Sequence, residues 1–211
     1  NPHRQWPSYD NSLYFSINTP AKLQVLSINA SREDFLKRLY ATQEFEYTSQ
    51  DAKNLNYSLL SQQNCIILNE LKSIDSSLSN ALTEFSQNGG SVLIIPAQEI
   101  DITSYNGLLK NLNLGVFDSK LERQKKITNI VFEHPIYRDV FEKRITNFQF
   151  PSIKSFYTIT SEASTLLGFE DDKPFLLGLK NNYIATAAFN TQNGNFISSP
   201  IIVPTLYNIA R

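Results

Sequence analysis

The sequence predicts an α/β fold: a three-layer sandwich with a mainly parallel central sheet and extra β-hairpins in its C-terminal third. Short continuous apolar runs recur at Lys22 to Ile28 (KLQVLSI), Cys65 to Asn69 (CIILN) and Ser91 to Ile95 (SVLII), as strands covered on both faces require. Segments with helical spacing lie between them, and this alternation calls for crossovers that place helices on both faces of a parallel sheet. Towards the C-terminus the apolar runs are separated by turn residues alone, which is the pattern of hairpins.

Taken in order, Leu13 to Ile17 alternates apolar and polar as a short strand does, and Thr19-Pro20 breaks it. After KLQVLSI, Ser31 is a helix N-cap, with Glu33 and Asp34 in the first turn and Phe35, Leu36, Leu39 and Tyr40 on one face. Phe45 to Tyr47 predicts a short strand and Asp51 to Ser61 a helical connection. A helix opening at Ser76 or Ser77 carries Leu78, Ala81, Leu82 and Phe85 on one face, and Gly89-Gly90 ends it by allowing positive φ. Thr103 or Ser104 begins another helix through Leu108, Leu109 and Leu112.

A charged segment then runs to Lys126, followed by a strand at Ile127 to Phe132 and a helical turn from His134-Pro135 to Phe141. Phe156 to Ile159, Thr165 to Phe169, Phe175 to Leu179 and Tyr183 to Phe189 are strands, split by turns at Glu170 to Lys173 and Asn181-Asn182. A helix is expected from Pro204 to Arg211 and beyond. Residues 1–20 are expected to form a lead-in from a preceding domain and residues 21–211 a single domain, since the later strands need a sheet to join. The absence of methionine and the polar, proline-containing opening suggest a piece of a longer protein.

Composition narrows the function. Hydrophobic residues make up 41% of the chain and charged ones 18%, enough apolar side chains to fold a core. The net charge of -1 offers no global attraction to nucleic acid or anionic membranes. Lys120, Arg123, Lys125 and Lys126 form the one dense basic run, read as a solvated loop because no glycine-rich loop or aromatic platform accompanies it. A single cysteine, Cys65, rules out an intramolecular disulfide and a multi-cysteine zinc site. The apolar runs are all short of the roughly 20 residues of a membrane-spanning helix.

Doubly wound sheets bind ligands beyond the carboxyl ends of their strands, which directs attention to the loops after Ile28, Asn69 and Pro96. The first carries neither a dinucleotide fingerprint nor a P-loop, so no nucleotide cofactor is expected. The second offers Asn69 and Glu70, and the third Gln98 and Glu99, as residues that could line a ligand or partner site. No serine or cysteine flanked by small residues stands in the third loop, where a related hydrolase carries its nucleophile. Cys65 opens an apolar strand, and a buried neutral thiol is inert. His3 and His134 have neither metal-ligand nor base spacing, and Glu170, Asp171 and Asp172 form a solvated turn lacking calcium-loop spacing. Tyr9, Tyr14, Phe15, Phe148, Phe150, Phe156 and Tyr157 either form a partner surface or pack the sheet and lead-in, with packing the expected role.

Asp10-Asn11 with Tyr14-Phe15, KLQVLSI, CIILNEL, the run Gly89 to Pro96, Glu133-His134-Pro135-Ile136 with Val140-Phe141, and Ser199 to Pro204 occur in an order that spans nearly the whole chain. Together they resemble the C-terminal soluble part of BatA-type aerotolerance membrane proteins of Bacteroidetes. The resemblance implies a domain similar to class I glutamine amidotransferases, with flavodoxin-like topology, facing the periplasm between membrane helices outside this chain. Active class I amidotransferases hold their nucleophilic cysteine in a G-x-C-x-G turn after the strand matching Ser91 to Pro96, with a histidine and a glutamate downstream. Here Pro96, Ala97 and Gln98 occupy that turn and no His-x-Glu pair follows, so the fold carries over and the activity does not.

The expected role is therefore a non-catalytic interaction or sensing domain of a membrane-anchored envelope protein, partnered by protein subunits of an envelope complex and needing no cofactor. The alternatives are a carbohydrate or small-ligand module, with exposed Tyr or Trp faces near the strand ends, and a degenerate amidotransferase or hydrolase using Cys65 or Ser91.

Overall fold

The structure is a computed structural model that describes residues 21–30, 35–137 and 149–211. Leu13–Ile17, the cap at Ser31 with Glu33 and Asp34, Val140-Phe141, and His3, Tyr9, Asp10-Asn11, Tyr14, Phe15 and Phe148 lie outside the described residues.

The three apolar runs are strands β1 (Leu23–Asn29), β3 (Cys65–Leu71) and β4 (Ser91–Pro96). Their side chains alternate between two cores, one on each face of the sheet. Val25, Cys65, Ile67, Leu93 and Ile95 point to one, and Leu26, Ile28, Ile66, Leu68, Val92 and Ile94 to the other. A strand with both faces covered has no polar side to show, which is why its sequence is apolar without a break. β2 (Phe45–Asp51) pairs parallel with β1 on the outside and runs four residues past the expected Tyr47, as Thr48, Ser49, Gln50 and Asp51 follow β1 to Asn29.

On one face, α2 (Ser76–Gln87) buries Leu78, Leu82 and Phe85, and α3 (Ile102–Asn111) buries Tyr105, Leu108 and Leu109. Their caps are Asp75, accepting from the Leu78 N–H at 2.8 Å, and Asp101, accepting from the Thr103 N–H at 3.0 Å, so α3 begins one residue before Thr103. On the other face lie α1 (Leu36–Leu39), a single turn, and α4 (Ile202–Ile209), which starts two residues before Pro204. The connection expected to be helical over Asp51 to Ser61 is instead two 3-10 turns, Ala52–Asn54 and Tyr57–Gln62.

Two further expectations are corrected. The charged segment is a strand, β5 (Val116–Ile130), fifteen residues long, antiparallel to β6 (Ser152–Thr160) and, at its far end, to β7 (Ser164–Phe169). Its basic run is not a solvated loop. Lys125 is only 6% exposed; its ammonium pairs with Asp171 and sits 5.0 Å from the centre of the Phe156 ring. The sheet is also mixed rather than mainly parallel. The order is β2-β1-β3-β4-β9-β8-β7-β5-β6, where β8 is Pro174–Leu179 and β9 is Asn182–Ala185; four pairings are parallel and four antiparallel.

The C-terminal hairpin does not trim an edge. β9 pairs parallel with β4, Val92 opposite Asn182, and so occupies the middle of the sheet. The fully buried Ile184 completes the core under α2 and α3, and four aromatic rings from β7 onward, Phe169, Phe175, Phe189 and Phe196, pack in sequence beneath α4. Phe156 and Tyr157 are buried, which settles the packing role for these two; Phe150 is 41% exposed. Strands from both halves of the chain share one sheet.

Candidate functional site at the carboxyl edge

The parallel strands β1, β3, β4 and β9 end at one edge, and polar side chains gather there. Register places Asn29 of β1 opposite Asn69 of β3, and Ser27 opposite Ser49 of β2. The Asn69 amide donates to Asn29 Oδ1 at 2.7 Å, Asn29 Nδ2 donates to Ser49 Oγ at 2.8 Å, and Ser27 Oγ donates to Asn29 Oδ1 at 2.7 Å. Asn69 is 5% exposed and its Oδ1 has no hydrogen-bond partner, an arrangement that costs stability.

Glu70 follows at a bulge, where the β3–β4 register slips between Asn69 and Leu71. Its φ of 57° is left-handed, uncommon for a residue with a Cβ and concentrated where surroundings enforce it. Asn190, after β9, donates to its carboxylate at 2.8 Å. The Asn190 Oδ1 accepts from the Asn193 N–H at 2.9 Å, and the fully buried Asn193 accepts from Ser155 Oγ at 2.8 Å. Glu70 is thereby tied to β6.

Beyond β4, the turn Pro96-Ala97-Gln98 is held by phenols. Tyr157 donates to the Gln98 carbonyl at 2.8 Å and accepts from the Ile100 N–H at 3.1 Å, while buried Tyr105 donates to the Leu71 carbonyl at 2.6 Å. Burial raises the pKa of both phenols, so they remain neutral donors. Glu99 pairs with Lys120 of β5, which also reaches Glu122 at 3.1 Å. Gln98, Glu99, Lys120, Glu122, Lys154 and Ser155 enclose a cleft of about 390 Å³.

Of the four residues singled out from the sequence, Gln98 and Glu99 line this cleft. Asn69 and Glu70 do not; they stand in the buried network behind it, joined through Asn190 and Asn193 to Ser155. Lys120, Glu122, Lys154 and Ser155 were missed because they arrive on β5 and β6, and no local pattern marks a strand residue as facing a loop from another layer. Among the described residues, the cleft lining has no aromatic side chain.

Cys65 stands at the start of β3, at the opposite edge of the sheet from this cleft. It is fully buried, and burial pushes its thiol up to about 12. His134 follows β5 at that same amino edge; its Nδ1 accepts from the Ile136 N–H at 3.3 Å, and burial lowers its pKa. Among the described residues no cluster of three or more His, Cys, Asp or Glu side chains is placed to hold a metal, and no helix is long and apolar enough to cross a membrane.

No protein-family model and no curated protein matches the chain. Solved structures do. A protein of Bacteroides uniformis described as ThuA-like aligns over 94% of both chains with a TM-score of 0.65 at 16% identity. A Thermoplasma acidophilum protein described as part of a GMP synthase covers 91% of this chain and 94% of its own, with a TM-score of 0.55 at 7% identity. The β-galactosidase of the psychrophilic Marinomonas ef1 aligns over 90% of this chain with a TM-score of 0.56 at 14% identity, and this chain spans only 29% of that enzyme. Identities this low establish likeness of fold, and the fold is of the α/β, amidotransferase-like kind with a mixed sheet.

Proposed function

We propose that this chain is a non-catalytic interaction or sensing domain that works by binding at the carboxyl edge of its sheet. The observation that carries the reading is what fills the turn after β4. The resemblance to BatA-type proteins assigns that turn to the amidotransferase nucleophile, yet Pro96, Ala97 and Gln98 stand there, with the Gln98 carbonyl engaged by Tyr157. The adjacent cleft is walled by the Glu99–Lys120–Glu122 cluster, whose carboxylates are 77% and 80% exposed and free to meet polar groups of a partner. A domain of the same fold filling under a third of a longer enzyme is consistent with use as an attached module.

In the biological setting implied by the resemblance, the partners are protein subunits of an envelope complex, and the domain faces the periplasm from a membrane-anchored chain. Three measurements test the proposal. Glutamine and ester hydrolysis by the purified chain should stay at the level of the Cys65→Ala variant, and Cys65 should resist alkylation until the protein is denatured. A photo-crosslinker at position 99 of the full-length membrane protein should give one discrete protein adduct, lost in Lys120→Glu. Turnover abolished by Cys65→Ala would overturn the proposal.

A further inference from the structure

The amino edge of the parallel strands, opposite the site above, holds two wider clefts of about 710 and 880 Å³, one on each side of the β8–β9 turn. Lys180 in that turn lines both. Its φ is 57°, at the first position of a two-residue hairpin, where glycine is favoured. The turn is fixed from below, because Asn181 donates to the Ser86 carbonyl at 3.1 Å and also to that of Gly90. A lysine thus stands where backbone strain argues for glycine, and what it adds is a cationic side chain in the lining of both clefts.

The larger cleft brings apolar side chains and cations together. Val203, 53% exposed, and the rings of Tyr183 and Tyr207 supply the apolar surface; Lys180, Arg211 and His134 supply positive charge and N–H donors. Among the described residues, none of its lining side chains is acidic. Glu44 reaches this wall from outside the cleft, hydrogen-bonded to the Tyr207 hydroxyl. Because Nδ1 of His134 accepts a backbone N–H, the proton of its neutral ring sits on Nε2, leaving that nitrogen a donor.

The walls are preformed. Tyr40 donates to the Leu206 carbonyl at 2.8 Å, Tyr137 and Thr205 share a hydrogen bond of 2.9 Å, and Asn208 donates to the Ile136 carbonyl, so two separate segments, the end of α1 and the turn Pro135–Tyr137, pin α4. The Phe45 ring meets Tyr207 edge-on at 4.9 Å, with the Arg211 guanidinium 5.8 Å over the Tyr207 ring. Tyr183 lies across Gly178 so closely that a Cβ there would come within 2.8 Å of the ring. A preformed apolar wall beside two cations, Lys180 and Arg211, selects for a particular ligand chemistry.

We propose that this cleft binds an amphiphilic anion, an aromatic or branched apolar body bearing one carboxylate or phosphate, with the anionic group at Lys180 and Arg211. The proposal does not depend on the carboxyl-edge reading, since none of the cleft residues at that edge takes part. Phenylacetate and phenyl phosphate are the probes, with benzyl alcohol and benzylamine as neutral and cationic controls, titrated into the full chain by amide NMR. Either anion should give saturable shifts at residues around Lys180, Tyr183 and Tyr207, and the tighter of the two names the head group. Lys180→Gly relieves the turn, so it should fold at least as stably while binding the anion about five- to tenfold more weakly. Equal binding of benzyl alcohol, unchanged affinity in Lys180→Gly, or no saturable shift at millimolar concentration would overturn it.

Discussion

The two halves of the sheet are equally well buried at their cores and are encoded in different ways. In the parallel half, Val25 to Ile28, Cys65 to Asn69 and Val92 to Pro96 are buried without interruption, with both faces under cover. In the antiparallel half, β7 and β8 share that continuous burial, whereas the outer strand β5 buries Phe117, Lys125 and Ile127 between exposed charged and polar positions, and its partner β6 provides Ile153, Phe156 and Tyr157. A strand covered twice announces itself by composition. A strand covered once is specified by what it pairs with, and even its charges are used: Lys125 spends its ammonium on Asp171 and two rings, Lys120 on Glu99 and Glu122.

This contrast can be broken most sharply at Phe175, a fully buried ring in β8 that contacts Phe169, Phe189 and Phe196. Phe175→Ala should cost about 3–5 kcal/mol, measured by denaturant unfolding. Because β9 joins the halves, far-UV circular dichroism and tyrosine fluorescence should report one shared transition; two separated transitions would mean the halves are independent units.

Lys125→Ala comes next. Losing both the aliphatic stem and the cation over Phe156 should cost about 1–2 kcal/mol, and Lys125→Met should recover the part owed to packing. If Lys125→Ala were neutral, the buried lysine would be incidental to how β5 is held. Asp101→Ala, at the cap of α3, should cost about 1 kcal/mol by removing the acceptor for the Thr103 N–H; no change would leave the local capping signal without energetic content.

The smallest effect concerns pH. The hydrogen bond from Lys125, aided by its charge, holds the Asp171 carboxyl below its ordinary 3.8. A carboxyl depressed in the folded state contributes stability that is present above the unfolded value and lost as pH falls through the folded one. Since its side chain is 42% exposed, solvent screening limits the loss to under about 1 kcal/mol. Asp171→Asn should flatten the stability profile below pH 3.8, and a profile identical to the parent's would remove the ion pair from the account of β5.

Legibility follows the same division. The runs KLQVLSI, CIILN and SVLII locate β1, β3 and β4 almost to the residue, and the rule that ligands sit beyond carboxyl ends then leads to Gln98 and Glu99 in the cleft. Asp101 as the cap of α3 was within reach too, two residues before the expected start at Thr103. Lys120, Glu122, Lys154 and Ser155 carried no comparable signal. Charged residues alternating along a strand look the same as those of a solvated loop until the partner strand is known.

The sequence by itself determined the alternation of strands and helices, the strands buried on both faces and the occupants of the turn after β4, because each of these is written in neighbouring residues through periodicity and composition. Only the tertiary structure decided that β9 enters the centre of the sheet beside β4, that Lys125 is buried, and that β5 and β6 complete the carboxyl-edge cleft. The physical reason is range. Val92 meets Asn182 and Lys120 meets Tyr157 across long stretches of chain, and such pairings follow from the competition of all strands for partners, which no local pattern records.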